Sequence, residues 1–324
     1  MSFTSRIFSA VTAAVLMCFP LFGCSSGEAA DKNGRLSIVC TSFSEYDWTR
    51  QLLEGTDSAD LTYLLGSGMD LHNYQPSVQD MVTIADCDIF VYTGGESESW
   101  ADDALKEARN KDMKVIKLFD VVGDTVREEE IKEGMEHEED HHHGEPEYDE
   151  HVWLSLRNAE TICAAICDAL CGKDPANADT YRSNLESYTE ELKALDGEYT
   201  AMSDNAEVRT VLFGDRFPFR YLFDDYGIDY YAAFVGCSAE TAASFETVAV
   251  LAQKLSELDL DSVFIIENSD DSLAKSIIAN SGRKGVSVET LNSIQSVTDG
   301  DVAKGVTYLS IMNENLETLK KVLD

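Results

Sequence analysis

Short apolar runs rich in β-branched residues alternate with segments of helical spacing along this chain, and this alternation restricts the fold more than any other feature. Continuous apolar runs of this length are typical of parallel strands that are buried on both faces. The strand candidates are residues 36–41, 61–65, 89–93 and 115–119 in the first half, and 209–213, 229–234, 262–266 and 286–290 in the second. The pattern predicts an α/β protein of two lobes, each with a parallel β-sheet flanked by helices.

A long helical pattern separates the two strand-rich halves. Apolar residues recur there at alternating steps of three and four, namely Ala178, Tyr181, Leu185, Tyr188, Leu192, Leu195, Tyr199 and Met202. Asp174 and Pro175 predict the N-cap and first turn, and the helix is expected to run to Ser203, a length of about 43 Å. We therefore place the N-terminal lobe at residues 35–173, a rigid linking helix at 174–205 and the C-terminal lobe at 206–324.

The first residues have the pattern of an export signal. A single positive charge at Arg6 precedes an apolar run over residues 7–22, which is too short for a comfortable membrane span. The ending Leu-Phe-Gly-Cys is similar to a bacterial lipobox, so residues 1–23 are predicted to be a signal peptide and Cys24 the lipidated anchor. Residues 24–34 then form a polar tether, and the protein is expected on the extracytoplasmic face of the cell membrane. Plain secretion is the alternative.

The net charge restricts the possible partners. The chain has 25 Lys and Arg against 60 Asp and Glu, a formal charge of −35. Such a surface disfavours nucleic acids and anionic lipid surfaces and concentrates cations near the protein.

The cysteines do not predict a disulfide framework. Cys163, Cys167 and Cys171 recur every four residues and therefore share one helix face, where successive thiols cannot easily bond. Buried thiols are favoured over a metal cluster there. Cys40 and Cys87 lie in or beside strand candidates and are expected in the core.

Two isolated histidines are the strongest candidates for chemistry. His72 lies in GMDLHNYQPS, shortly after a predicted strand, and His151 lies in DEHVWLS, where Ser155 can cap the next helix. Side chains at the carboxyl ends of parallel strands point into the crevice where α/β proteins bind ligands. Imidazole is a preferred ligand of zinc, so the pair predicts capture of a divalent metal.

The remaining four of the six histidines lie in one acidic segment, residues 128–150. These are His137, His141, His142 and His143. The segment has too few apolar residues to offset the cost of ordering, so a mobile loop is expected. Its composition predicts loose metal binding without a fixed geometry.

Together these motifs resemble a known family. GMDLHNYQPS, DEHVWLSLRNAETI, the linking helix that opens with Asp-Pro, and the closing GVTYLSIMNENLETLKKVL are similar to the metal receptors of zinc and manganese ABC importers, the ZnuA-like group of cluster A-I solute-binding proteins. The resemblance extends from about Arg35 to Asp324. It implies a monomer that holds one metal between two lobes and delivers it to a permease. In that family a His-rich insertion marks zinc receptors, so zinc is favoured over manganese.

The resemblance carries the first two ligands onto His72 and His151, whereas the other two positions differ. The family's third ligand falls near Arg216, which cannot bind a cation, and its fourth falls on Asn292, whose carbonyl oxygen is neutral. Other residues that could complete a metal shell are Glu240, Glu267 and Asp215, or water. Arg216 is expected either to hold an acid such as Glu240 or Glu267 in place, or to close the lobes through a salt bridge with the metal wholly on the N-terminal lobe.

Two other functions stay open at this point. A secreted zinc hydrolase needs three protein ligands and a carboxylate base, yet the sequence has no GxSxG or Gly-rich phosphate loop. Its HExxH match, at residues 137–141, lies in the acidic segment that is expected to be a mobile loop without a fixed geometry. No catalytic residue is therefore predicted, and the protein is not expected to be an enzyme. A degenerate receptor that works as a zinc buffer or a surface metal-binding adhesion protein is the nearer alternative, because of Arg216 and Asn292.

Overall fold

A four-stranded parallel sheet forms the centre of the N-terminal lobe in the computed structural model, which describes residues 34–136, 147–238 and 242–324. Its strands lie in the order β2-β1-β3-β4. They are β1 (Leu36–Cys40), β2 (Ala59–Tyr63), β3 (Ile89–Tyr92) and β4 (Lys114–Lys117). The helices of this lobe are α1 (Phe43–Leu52), α2 (Val78–Asp86), α3 (Trp100–Lys106) and α4 (Leu118–Val122).

The apolar runs that predicted strands are buried for the expected reason. Both faces of β1 and β3 are covered, so Ile38, Val39 and Phe90 are fully buried. Cys40 and Cys87 are buried in the core, as predicted. Because the central strands are buried in the core, the loops that follow their carboxyl ends start from fixed positions.

Two long helices follow, α5 (Leu156–Lys173) and α6 (Ala178–Asn205). Ser155 caps α5, because its side chain accepts the backbone N–H of Asn158. The three cysteines on α5 are free thiols. Cys163 and Cys167 are buried, as predicted, whereas Cys171 is half-buried.

The predicted start of the linking helix was wrong. Asp174 is the C-cap of α5, and α6 begins at Ala178 after Asn177. The Asp174 carboxylate accepts from Asn177 Nδ2 and from the Tyr181 hydroxyl, at 2.6 and 2.7 Å. These bonds close a turn between the helices, so Pro175 lies in the turn instead of in the first turn of α6. The helix has 28 residues and is about 42 Å long.

The C-terminal lobe also contains only parallel strand pairs in the part of the chain that is described. Its strands are β5 (Thr210–Leu212), β6 (Arg216–Phe217), β7 (Asp229–Tyr231), β8 (Phe234–Val235), β9 (Ser262–Ile266) and β10 (Ser287–Leu291). Its helices are α7 (Arg220–Tyr226), α8 (Phe245–Glu257), α9 (Ser272–Ser281), α10 (Asp299–Ala303) and α11 (Tyr308–Leu323). The pairs are β10-β9, β5-β7 and β6-β8, and a bridge between Phe213 and Phe264 joins the first two.

One predicted strand of this lobe is split. The run 229–234 forms β7 and the start of β8, because the Asp215 carbonyl accepts the N–H groups of both Ala233 and Phe234. This turn directs β8 and the residues after it toward the N-terminal lobe, a position that matters for the site below.

Buried hydrogen bonds connect the lobes. The Tyr308 hydroxyl donates to the Trp153 carbonyl at 2.7 Å, and the Tyr308 N–H donates to Asp47 Oδ2 at 2.8 Å. The Trp153 indole donates to the Ser293 carbonyl at 2.9 Å. Residues 34–324 thus form one compact unit. Among the described residues, none of the helices has the length and apolar character that a membrane span requires.

Candidate metal centre

The first histidine is fixed by a short turn after β2. His72 lies in a 3₁₀ turn, Leu71–Asn73, and its backbone N–H donates to Asp70 Oδ1 at 3.0 Å. Its ring nitrogen Nδ1 lies 2.8 Å from Ser97 Oγ and 3.4 Å from Glu150 Oε2. The His72 side chain is only 4% exposed. The ring is therefore held through its backbone and through Nδ1.

The second histidine is held in a similar way. Asp149 Oδ1 accepts the backbone N–H of His151 at 2.8 Å and lies 2.9 Å from His151 Nδ1. His151 is fully buried, and Asp149 and Glu150 are almost fully buried. A 3₁₀ turn, Val152–Leu154, follows and leads to the capped start of α5.

The two imidazoles face each other through their other nitrogens. His72 Nε2 and His151 Nε2 are 3.2 Å apart, and the ring centroids are 5.2 Å apart. A neutral ring that donates from Nδ1 to its oxygen neighbour presents the lone pair of Nε2, so two such rings would place their lone pairs face to face. Two such lone pairs repel unless a cation or a proton lies between them. The arrangement thus favours a positive charge at this point.

Acidic groups around the rings strengthen this preference. Burial alone would lower the pKa of His151, but the charge of Asp149 and its hydrogen bond raise it. Burial alone would raise the pKa of Glu150, but the hydrogen bond and charge of His72 lower it. Burial, with the charge of Asp149 added, raises the pKa of Glu129. The surroundings of the imidazoles are therefore rich in acidic groups, which favour a bound cation.

A third potential ligand comes from the C-terminal lobe. Cys237 lies two residues after β8, and its Sγ belongs with ring nitrogens of His72 and His151 to a group of atoms that all lie within 4.8 Å of one another. The Cys237 N–H donates to Glu129 Oε1 at 3.2 Å. Gly236 allows this approach, because a Cβ there would lie 3.1 Å from His151 Cε1 and 2.8 Å from the Phe217 carbonyl oxygen.

The acidic segment 128–150 is ordered at both of its ends. Residues 127–129 pair antiparallel with residues 147–149, with hydrogen bonds from Glu129 N to Glu147 O and from Asp149 N to Arg127 O, both 2.9 Å. We call these paired residues the stem. The Glu136 N–H donates to the Ala233 carbonyl on the C-terminal lobe. A mobile loop was expected over the whole segment, whereas hydrogen bonds hold these parts; His137, His141, His142 and His143 lie outside the described residues.

Arg216 closes the lobes through an ion pair. Its Nη2 contacts Asp70 Oδ2, and its Nη1 lies 3.4 Å from the Ser238 carbonyl oxygen. Asp70 is the residue that holds the His72 turn, so the guanidinium acts on the His72 loop from the other lobe. Of the two expectations for Arg216, the one present in the structure is the salt bridge between the lobes, and its partner is Asp70. Cys237 of the C-terminal lobe lies near the two histidines, so the candidate donor atoms are not confined to the N-terminal lobe.

Two other predicted site residues, both acids, organise the C-terminal lobe. Asp215 accepts the N–H groups of Arg216 and Ile266 through its carboxylate. Glu267 accepts from the Ser293 N–H and hydroxyl at 2.7 and 2.8 Å. Within the described parts of the chain, neither acid joins the group formed by the histidines and Cys237.

Asn292 is also engaged in local structure. Its Oδ1 accepts the Ile294 N–H at 2.8 Å, and its backbone pairs with the Asn315 amide. Glu240 and Cys24 lie outside the described residues, so the roles predicted for them stay predictions.

Sequence reasoning missed Cys237 and the acids that hold the rings. A signal for Cys237 was present, because it follows the strand-like FVG at the carboxyl end of a predicted strand, where ligands collect. Asp149 and Glu150 directly precede His151, but only the fold shows that Glu150 reaches His72. The role of Asp70 depends on Arg216, which is distant in sequence.

The fold and this centre define a class: a two-lobed α/β binding protein with paired imidazoles where its lobes meet. The family model described as "ZnuA: Zinc-uptake complex component A periplasmic" matches residues 38–322, and the chain belongs to this family. It is 32% identical over 308 residues to a zinc-binding lipoprotein, AdcA, of Streptococcus pneumoniae TIGR4, a match that covers 94% of this chain and 58% of the relative. The chain thus spans somewhat more than half of that relative's length.

One further relative, and a solved structure of a single domain of AdcA, match over nearly their full length. The high-affinity zinc uptake system protein ZnuA of Bacillus subtilis is 28% identical over 318 residues, which is 97% of this chain and 96% of that protein. The crystal structure of the Zn(II)-bound ZnuA-like domain of S. pneumoniae AdcA superimposes with a TM-score of 0.71 at 29% identity, covering 90% of this chain and all of that one. The two-lobed fold with a long connecting helix agrees with this neighbour, which confirms the predicted fold class.

Proposed function

We propose that this protein captures a zinc ion between its lobes and delivers it to the permease of an ABC importer on the extracytoplasmic face of the cell membrane. The observation that carries the proposal is the pair of Nε2 atoms, 3.2 Å apart, on two buried imidazoles. Two nitrogens bound to one tetrahedral zinc at about 2.0–2.1 Å are about 3.3 Å apart. The zinc named for the relatives supports zinc over manganese as the cargo.

The proposal includes the lipid anchor and the absence of catalysis. Lipidation of Cys24 would hold the protein at the membrane beside its permease, as the lipoprotein name of the pneumococcal relative suggests. Cargo binding, not hydrolysis, fits a centre whose nearby carboxylates are used to hold the imidazoles. The protein would act as a monomer, because one lobe pair supplies the site.

Isothermal titration calorimetry of the metal-stripped chain from Cys24 onward tests this proposal. The wild type should bind one zinc tightly, and His72→Ala or His151→Ala should weaken that site by at least about 100-fold, since a ligand is worth more than the 10- to 100-fold of an outer hydrogen bond. Asp179→Asn, an exposed change, is the control. Equal binding by wild type and both histidine variants would overturn the proposal.

A zinc buffer is the second candidate, and one observation favours it. Arg216 and Asn292, at positions where relatives of this group have ligands, are both engaged in other bonds. Replacing residues 137–146 with a Gly-Ser linker of the same length keeps the stem and separates the two functions. A receptor retains its tight site after this replacement, whereas a buffer loses nearly all its zinc binding.

A further inference from the structure

We propose that Cys237 supplies a third zinc ligand, as a thiolate from the C-terminal lobe, and that it takes the place of the ligand lost at Arg216. This inference rests on the proposed function and specifies its ligand set as two imidazoles and one sulfur. A thiolate selects borderline and soft dications, so the cargo is zinc, with cadmium and cobalt as mimics, and manganese is rejected.

The geometry of the three donor atoms carries the inference. In a tetrahedral site, a sulfur at about 2.3 Å and a nitrogen at about 2.05 Å from zinc are about 3.6 Å apart. The donors of His72, His151 and Cys237 all lie within 4.8 Å of one another. Rotation of the cysteine side chain and a shift of about 1 Å are therefore enough to reach ligand distances.

The backbone around Cys237 fits this role. Gly236 lets the chain pass against the His151 ring, where a Cβ would be 3.1 Å from Cε1. The bond from the Cys237 N–H to Glu129 Oε1 fixes the residue from the stem. Cys237 is thus placed beside the imidazoles by its bond to the stem and by the close passage of Gly236.

The contacts of Arg216 explain why a substitute ligand is needed. The guanidinium occupies the C-terminal lobe position where the family has a ligand, and it is turned to Asp70. With Cys237 instead, a ligand from each lobe binds the same ion, so zinc binding still draws the lobes together. A water molecule would complete the tetrahedron.

Cobalt substitution provides a readout that a purely structural cysteine would not affect. The Co(II)-loaded wild type should show a sulfur-to-cobalt charge-transfer band in the near ultraviolet, and X-ray absorption of the zinc form should show one sulfur at about 2.3 Å. Cys237→Ser should abolish both signals and weaken zinc binding by about 10- to 100-fold. Cys171→Ser, at a half-buried cysteine on α5, should retain both.

The outcomes separate this inference from the proposed function. Tight zinc binding by the wild type without a sulfur signal, or a band that persists in Cys237→Ser, overturns the thiolate ligand and leaves the receptor function standing. No zinc binding by the wild type overturns both. The thermal midpoints of metal-free wild type and Cys237→Ser should agree, and a second variant, Cys237→His, should restore zinc affinity without the sulfur band.

Discussion

Arg216 and Asp70 form an ion pair between the two lobes, and Asp70 also accepts the backbone N–H of His72. Arg216 of the C-terminal lobe therefore holds, through Asp70, the loop that carries His72. This contact links lobe closure to the orientation of the His72 ring.

Removal of this ion pair should destabilise the metal-free protein. Arg216→Met leaves the Asp70 carboxylate, 16% exposed, without its cation, at a cost of about 1–3 kcal/mol at pH 7. Burial alone would raise the pKa of Asp70, but Arg216 lowers it, so the stabilisation is present above the unfolded pKa of about 3.9 and is lost below it. Urea denaturation at pH 7 and below pH 4 measures this.

The control for this prediction is an exposed pair. Lys106→Met removes a bridge to Asp103 between side chains that are both more than two-thirds exposed, and the free energy of unfolding should change by no more than the experimental error. A loss at Arg216→Met no larger than this, or a loss that does not shrink at low pH, would contradict the role of the ion pair.

Glu98 should make stability fall as the pH rises through neutrality. Burial raises its pKa to about 7, although a bond from the Gly94 N–H opposes the shift. The folded protein holds a proton that the unfolded chain has lost, so this contribution is present below about pH 4.3 and disappears as the pH passes 7. Glu98→Gln should reduce the pH-dependent change in the free energy of unfolding by up to about 3 kcal/mol.

Guanidinium denaturation of wild type and Glu98→Gln between pH 5 and 8 checks this prediction. The neighbouring exposed Glu96→Gln is the matched control and should follow the wild-type profile. Parallel profiles for wild type and Glu98→Gln would show that Glu98 is already ionised at pH 5.

Asp149 should tune the affinity of the metal site without being a ligand. Asp149→Asn keeps an acceptor for the His151 N–H but removes the charge, so zinc binding should weaken by about 10- to 100-fold. The pKa of His151 should fall in the variant, because Asp149 raises it in the wild type. Calorimetry and imidazole NMR titration measure the two effects, and an unchanged affinity would refute the support by Asp149.

Trp153 should contribute a buried hydrogen bond that connects the lobes. Trp153→Phe leaves the Ser293 carbonyl without the indole donor and should cost about 2–4 kcal/mol. Trp48 is the matched control, since it is also fully buried and its Nε1 has no hydrogen-bond partner among the described residues. Chemical denaturation should give a larger loss for Trp153→Phe than for Trp48→Phe. Equal losses would mean that only side-chain volume matters.

The sequence alone predicts most of the fold, because strands buried on both faces and a long amphipathic helix have strong local patterns. The errors arise where local signals have two meanings. Asp174 and Pro175 are typical of a helix start, but the bonds from Asn177 and Tyr181 place them in a turn between helices. Similarly, β7 and β8 read as one run until Asp215 splits them.

The site was predictable only in part for a comparable reason. His72 and His151 stand in distinct motifs, so each was visible alone. The positions of Cys237 and Arg216 in the site depend on contacts with residues far away in the chain. Cys237 contacts Glu129, and Arg216 contacts Asp70. No local pattern reports such contacts.

The stem has a consequence for how this protein can diverge. Because residues 127–129 pair directly with residues 147–149, the residues on both sides of the histidine-rich segment meet in the stem. Insertions or deletions of residues between the two segments of the stem should therefore leave the position of His151 unchanged. Orthologues that differ greatly in the size of this insertion should therefore superimpose closely on either side of it.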